Sequence, residues 1–167
     1  MRNLFFLVIL LITTNSVAFS QTKKEKKEEK KAQRALETIQ ALEQMVLVDT
    51  SFYFGLKSTG SSYGSSSGAG FYFKVEDGEV DCYLPFFGRS YTATLSGGGV
   101  EFTSDQFTYK TEPNPENEGW TINMDVMVKN YDKYGITLHA SPSGNSLLIV
   151  NPPNKSAMSY YGAMEEN

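Results

Sequence analysis

The side chains able to do acid–base, nucleophilic or metal chemistry are few in this sequence. His139, the only histidine, lies in the run YGITLHAS, and Cys82, the only cysteine, lies in EVDCYL. A histidine acting as general base needs a nucleophile and usually an orienting carboxylate, and no local motif supplies them. One His and one Cys cannot make a zinc site of the usual type. The sequence therefore predicts no catalytic residue, metal site or cofactor, and we expect the protein not to be an enzyme.

Three carboxylates, Asp77, Glu79 and Asp81, come nearest to a cluster. On an extended strand Glu79 and Asp81 share one face, about 7 Å apart at the usual rise per residue. Such a pair could hold calcium or act on a glycosidic bond. A calcium loop needs more oxygen ligands at close spacing, so we favour a solvated outer face of a strand.

The stretch CYLPFFGRSY, residues 82–91, is unlike the alternating segments around it. Pro85 lacks the N–H that a central strand requires, so pairing should end there. Gly88 can adopt the positive φ of a bulge or tight corner. Phe86, Phe87 and Arg89 then form either a corner that plugs one end of the fold or a ligand-binding site. The Arg89 guanidinium would stack on a phenylalanine ring or pair with a carboxylate.

A second candidate contact lies in the Gly/Ser-rich stretch STGSSYGSSSGAG, Ser58–Gly70. This composition cannot bury a core and is typical of a mobile hairpin tip. The functional alternative is a flap over a cavity mouth, with Tyr63 as its contact residue. The candidate ligand-binding residues are thus Phe86, Phe87, Arg89 and Tyr63.

The elements that must position these residues are one helix and many short strands. Apolar residues from Ala32 to Val46 recur every three or four positions, which predicts a helix over residues 22–46 that packs from about Ala32 onward. From Val48 the period becomes 2, and Asp77-Gly78 is a strong hairpin signal. The predicted strands are FYFGLK, FYFKVE, EVDCYL, YTATL, VEFTS, QFTYKTE, WTINMDVMV, YGITLHA, SLLIV and MSYYGAM.

This pattern predicts an all-β fold with one N-terminal α-helix. Consecutive strands without intervening helices should pair as an antiparallel meander, and closing it into a barrel or nearly closed barrel removes exposed edges. The sequence holds ten Tyr and eleven Phe. Their rings could fill the interior or leave a cavity for an apolar or sugar-like ligand, and both interpretations remain open.

The N-terminus predicts export. Arg2 precedes the nine apolar residues Leu4–Ile12 and then TTNSVAFSQ, the layout of a cleavable signal peptide that is too short to span a bilayer. We expect cleavage after Ser20, giving three segments: signal peptide 1–20, charged helix 21–47 and a single β-barrel-like domain 48–167. The expected location is periplasmic or secreted, with no transmembrane segment after cleavage.

Charge is unevenly distributed between the helix and the rest of the chain. Residues 21–47 carry +2, whereas residues 48–167 hold seven Lys/Arg against fourteen Asp/Glu, which gives −7. Nucleic acid is therefore not an expected partner, because phosphate binding depends on clustered cations. The run KKEKKEEKK could touch anionic lipid headgroups, although its interleaved glutamates favour a solvated helix face.

With these residues laid out, the chain resembles the bacterial domain of unknown function 4251 family, typical of exported proteins of Bacteroidetes-type bacteria. The shared elements are the Lys/Glu-rich helix before FYFGL, then FYFKVEDGEVDCYLPFFGR, GGGVEF, GWTINMDV and SAMSYYGAM. Leu84–Arg89 is the most specific match, although Phe86 stands where tyrosine is more usual. The resemblance implies a lipocalin-like meander and periplasmic export, and it implies no activity.

Two functions are expected from these features. The first is an exported, non-enzymatic barrel domain that binds a small apolar or amphipathic ligand or an envelope partner, favoured by the aromatic content. The second is a structural or interaction protein of the cell envelope that docks through its basic helix or an aromatic patch.

Overall fold

A computed structural model describes residues 23–61, 64–68, 70–91, 99–116, 118–129 and 132–166. The predicted signal peptide, Tyr63 and most of the predicted strand YTATL lie outside these ranges. The chain groups into two units, one up to Arg34 and one from Ala35. The second unit carries the sheet and the core.

The helix α1 spans Lys23–Glu43 and continues as one wider, π-helical turn, Gln44–Asp49. Thr50, at φ 47°, ends it in the left-handed region. The prediction that packing starts near Ala32 is wrong, because Ala32, Ala35 and Leu36 are exposed. Burial within the second unit begins about one turn later, where Leu42 and Val46 enter the core.

Ten strands follow the helix. They are β1 Phe52–Ser61, β2 Gly64–Ser66, β3 Tyr72–Glu76, β4 Glu79–Leu84, β5 Val100–Ser104, β6 Phe107–Asn114, β7 Gly119–Val128, β8 Asp132–Ala140, β9 Ser146–Asn151 and β10 Met158–Glu165. They form one antiparallel sheet in the order β5-β4-β3-β1-β10-β9-β8-β7-β6, with β2 paired to β1. The Gly/Ser-rich stretch, predicted to be a hairpin tip, contributes the pairing of β1 with β2.

The turn between β3 and β4 lies where the sequence predicts it. Asp77 and Gly78 join β3 to β4 and both have positive φ, 50° and 76°, as a two-residue hairpin turn requires. The flanking Glu76 and Glu79 are a register pair. This turn sets which side chains of the two strands face inward.

The barrel has a seam between β5 and β6, the two end strands of the sheet order. The terminal strands β1 and β10 pair with each other, whereas β5 and β6, joined through Asp105 and Gln106, share no ladder in the described residues. Side chains of β5 contact β8 and β7 instead: the Phe102 ring lies 4.6 Å from the Tyr134 ring of β8, and the Ser104 hydroxyl donates to the Met127 carbonyl of β7. The predicted all-β, nearly closed barrel with one N-terminal helix is confirmed.

The interior of the barrel is packed with apolar side chains that form one cluster. The inward positions of the strands alternate with outward polar or aromatic ones, as in Phe52, Phe54 and Phe73, which are 0% exposed. Val46 from the helix end is equally buried, and its carbonyl accepts a 3.0 Å hydrogen bond from the Tyr109 hydroxyl. The helix end is thereby tied to the edge strand β6.

Across the described ranges, no helix is long and apolar enough to span a membrane.

Candidate functional site

The segment after β4 is a corner held by main-chain contacts. Strand pairing ends at Leu84 and Pro85 is buried, as the sequence predicts. The Tyr160 hydroxyl donates to the Pro85 carbonyl at 2.9 Å. Farther along, the Arg89 N–H donates to Ser156 Oγ at 3.0 Å, and the Ser156 N–H donates to the Arg89 carbonyl at 2.9 Å. The corner is therefore pinned to the segment that precedes β10.

Gly88 is required at this corner for a reason other than the one predicted. Its φ is not positive, since the positive-φ glycines of the described residues are Gly70, Gly78 and Gly144. A Cβ at position 88 would overlap Ser156 Oγ and would lie 2.6 Å from the Phe86 ring. The corner thus needs glycine for close approach.

The predicted ligand-binding residues of the corner lie on its rim. Phe86 and Phe87 are half-buried against the core, and the Arg89 side chain is exposed. The Lys155 Nζ lies 4.8 Å from the centroid of the Phe86 ring. A ligand-binding role for Phe86, Phe87 and Arg89 stays a prediction, and Tyr63 lies outside the described residues.

A second aromatic group lies on the outer side of β1, β3 and β4, and we call it the aromatic face: Tyr53, Phe71, Tyr72 and Tyr83. The Tyr53 and Tyr72 rings stack at 5.7 Å, and the Phe71 and Tyr83 rings stack at 5.2 Å. Tyr72 and Tyr83 are register partners whose rings lie 6.3 Å apart, linking the two pairs. Tyr83 is 43% exposed. Four contacting rings therefore form a fixed platform at the surface.

Carboxylates border the aromatic face. The Tyr72 hydroxyl donates to Asp81 at 2.8 Å, and the Thr103 hydroxyl reaches the same carboxylate at 3.4 Å. The hydrogen bond to Asp81, followed by burial and the carboxylate charge, raises the pKa of Tyr72 to about 12. Beside the rings lies a depression of about 490 Å³, to which Asp81 and Glu101 contribute.

Asp81 lies on the outer face of β4, and Cys82 lies in the core. Asp81 is taken up by the contacts above, and among the residues with described positions no three His, Cys, Asp or Glu side chains could hold a metal ion together. Cys82 is fully buried, and burial raises the pKa of its thiol. A buried protonated thiol is a poor nucleophile, so Cys82 acts as a packing residue of the core.

His139 points to the outer side of β8 and is half-buried. Its Nδ1 lies 3.1 Å from the Thr121 hydroxyl. Sequence reasoning placed it on a strand but did not reveal its neighbours Leu147 and Tyr161, which reach it through the registers of β8, β9 and β10. The outward alternation of Tyr53 and Tyr72 was visible in the sequence, whereas their partners Tyr83 and Phe71 needed the strand pairing.

Comparison with known proteins gives a match at the level of the family. No curated protein matches the chain. A family model described as "Domain of unknown function (DUF4251)" matches residues 23–164, which include the helix, β1 to β9 and all but the last residue of β10. The chain therefore belongs to the DUF4251 family, as the resemblance of its corner and strand motifs indicated.

Proposed function

We propose that this chain is an exported, non-enzymatic barrel domain that docks on another protein of the cell envelope through its aromatic face. The observation that carries the proposal is the stacked cluster of Tyr53, Tyr72, Tyr83 and Phe71 on the outside of the sheet. Export rests on the signal-like N-terminus of the sequence.

The packed interior favours a docking surface on the outside of the barrel rather than a ligand bound inside it. Inward residues from both halves of the sheet, including Phe54, Ile122, Leu138 and Leu148, are 0% exposed and belong to one contact cluster. Val46 adds a further buried side chain from the helix end. A bound apolar molecule would have to displace these side chains, and each displaced side chain would lose well-packed contacts.

The geometry of the aromatic face suits protein recognition. Tyrosine offers a large contact area with one polar group and loses little conformational freedom on binding, which is why it is enriched in interfaces. Here the rings already contact one another, and the Tyr72 hydroxyl is fixed by Asp81. A preorganised surface spends less free energy on ordering when the partner arrives.

Charge indicates the chemistry of the partner. The outward positions of β3, β4 and β5 near the rings carry Glu76, Glu79, Asp81 and Glu101 against Lys74, and Lys129 also lines the adjoining depression. The Lys74 ammonium lies 3.0 Å from the Glu76 carboxylate. A partner surface with an apolar centre and Lys or Arg at its edge complements this arrangement.

The test is site-directed photo-crosslinking in cells of the source organism, with the photoreactive residue at position 83. We expect one discrete adduct that weakens when Tyr53→Ala is added and when salt is raised, because screening reduces attraction between exposed charges. Mass spectrometry of the adduct should identify a contact peptide rich in Lys or Arg.

The control places the same photoreactive group at position 110, outward on β6 and away from the rings. Equal adducts from positions 83 and 110, or a position-83 adduct insensitive to Tyr53→Ala, would contradict docking through the aromatic face. Absence of any adduct, together with a ligand co-purifying from the host in native mass spectrometry, would favour the small-ligand function.

A further inference from the structure

A row of outward side chains crosses the sheet on the side that carries His139. Successive register pairs are Thr121 with His139, His139 with Leu147, and Leu147 with Tyr161. Neighbouring strands are about 4.8 Å apart, so the main chains at His139 and Tyr161 are separated by roughly 10 Å with Leu147 between them. Because four paired strands hold the row, its spacing is set by the sheet.

Two turns add polar groups beside this row and complete a depression of about 380 Å³, which we call the His139 groove: Asn114, Glu116, His139, Asn145, Leu147 and Tyr161. Asn145 follows the turn at Gly144, whose φ is 79°, and the Lys57 ammonium lies 3.4 Å from its side-chain oxygen. The Asn114 amide lies 3.4 Å from the Thr121 hydroxyl. Tyr161 is 57% exposed.

We propose that the His139 groove binds a carbohydrate. A sugar ring has an apolar face of C–H groups and a rim of hydroxyls, each able to donate and accept. Tyr161 and Leu147 supply the apolar surface, while the amides, the imidazole and Glu116 supply donors and acceptors of both kinds. The volume of the groove lies within the range of small-molecule sites.

Other classes of small ligand fit the groove less well. Phosphate and other strong anions favour clustered cations or a helix N-terminus, whereas here a carboxylate, Glu116, lines the groove and Lys57 is hydrogen-bonded to Asn145. A purely apolar ligand would cover the polar side chains that line the groove and remove their remaining contacts with water, at a cost in free energy. The site is separate from the aromatic face, so the two proposals can fail independently.

Saturation-transfer difference NMR on the mature domain, with maltose, cellobiose, lactose and chitobiose as probes, tests the proposal. We expect saturation transfer to the ring C–H protons of at least one disaccharide at millimolar concentration. With that disaccharide, amide shifts should concentrate at residues 139, 145–147 and 161. Tyr161→Ala should weaken binding about tenfold or more, equivalent to about 1.4 kcal/mol.

Two further variants keep the result interpretable. Tyr161→Phe retains the ring and should keep most of the binding, and Tyr83→Ala removes a comparably exposed ring on the aromatic face and should leave binding unchanged. The proposal is overturned if no disaccharide receives saturation, or if Tyr161→Ala and Tyr83→Ala reduce binding equally. A Tyr161→Phe variant as weak as Tyr161→Ala would overturn the stacking role of the ring.

Discussion

Two aromatic pairs connect the same two strands, β1 and β3, on opposite faces. Inside the barrel, the Phe52 and Phe73 rings lie 6.3 Å apart and neither is exposed. Outside, the Tyr53 and Tyr72 rings lie 5.7 Å apart, and both are half-buried. The two FYF stretches therefore place Phe52 and Phe73 in the core and Tyr53 and Tyr72 on the outer face.

The difference between the pairs follows from the two-residue period of a strand and from the chemistry of one hydroxyl. Phenylalanine has no polar atom to satisfy and can be removed from water completely. The outer tyrosines keep their hydroxyls where a partner such as Asp81 is available, as the Tyr72 contact shows. The inner pair is thus assigned to stability, and the outer pair remains accessible for binding.

The largest effect expected from this comparison is the loss of an inner ring. Phe73→Ala should destabilise the domain by about 3–5 kcal/mol, because it removes a fully buried ring and leaves a cavity. Tyr53→Ala, the outer control, should cost only about 1 kcal/mol. Chemical denaturation followed by fluorescence of Trp120, the single tryptophan, measures both. If Phe73→Ala and Tyr53→Ala lowered the stability by similar amounts, the inner and outer faces would contribute equally to stability, contrary to this comparison.

A smaller contrast is expected at two glycines in adjacent strands. Gly162 faces inward, and a Cβ there would overlap the Gly55 carbonyl and lie 2.5 Å from the Phe54 ring. Gly162→Ala should therefore cost about 1–3 kcal/mol. At Gly55, which faces outward, the new Cβ would lie 3.2 Å from the end of the Tyr53 ring, which can move.

We expect Gly55→Ala to change stability by less than about 1 kcal/mol. The same denaturation experiment compares the two alanine variants. A Gly55→Ala variant less stable than Gly162→Ala would show that the outer face is packed as rigidly as the interior.

The smallest effect concerns the ionisation of the outer pair. The Tyr72 hydroxyl donates a hydrogen bond to Asp81, which raises the pKa of Tyr72 to about 12. Because the pKa of Tyr72 is higher in the folded than in the unfolded state, its protonated hydroxyl stabilises the fold fully below about pH 10, the pKa of an unfolded tyrosine. This stabilisation is lost as the pH rises to about 12. NMR of tyrosine ¹³Cζ nuclei should show Tyr72 ionising about two pH units above an unperturbed phenol, and Asp81→Asn should shift its titration down. A Tyr72 titration unchanged by Asp81→Asn would contradict the assigned cause.

Local signals in the sequence were sufficient for much of the fold. Asp77-Gly78 predicted its hairpin because both residues tolerate positive φ, and the alternation in EVDCYL predicted the burial of Cys82 and Leu84. Export, the domain boundaries and the ligand-binding role of Phe86, Phe87 and Arg89 stay predictions.

Features that depend on distant residues could not be predicted in the same way. Gly88 is constrained by Ser156, and the Lys155 ammonium lies over the Phe86 ring; both contacts come from a segment far along the chain. The His139 groove likewise requires the register of four strands, which no local pattern specifies. The helix packs later than its apolar stripe indicates, since Leu36 satisfies the period but stays exposed.

The pairing of the first strand with the last has a consequence for the order of folding. Phe54 on β1 is a register partner of Met164 on β10, so the barrel cannot close until the ribosome has delivered its final strand. Until then β1 lacks one of its two long neighbours, and the growing chain presents unpaired backbone and phenylalanine rings to aggregation. Closure is therefore a late event of high contact order, and folding should be slow compared with that of a helical protein of this size. A chaperone that binds extended aromatic segments would be most useful during that interval.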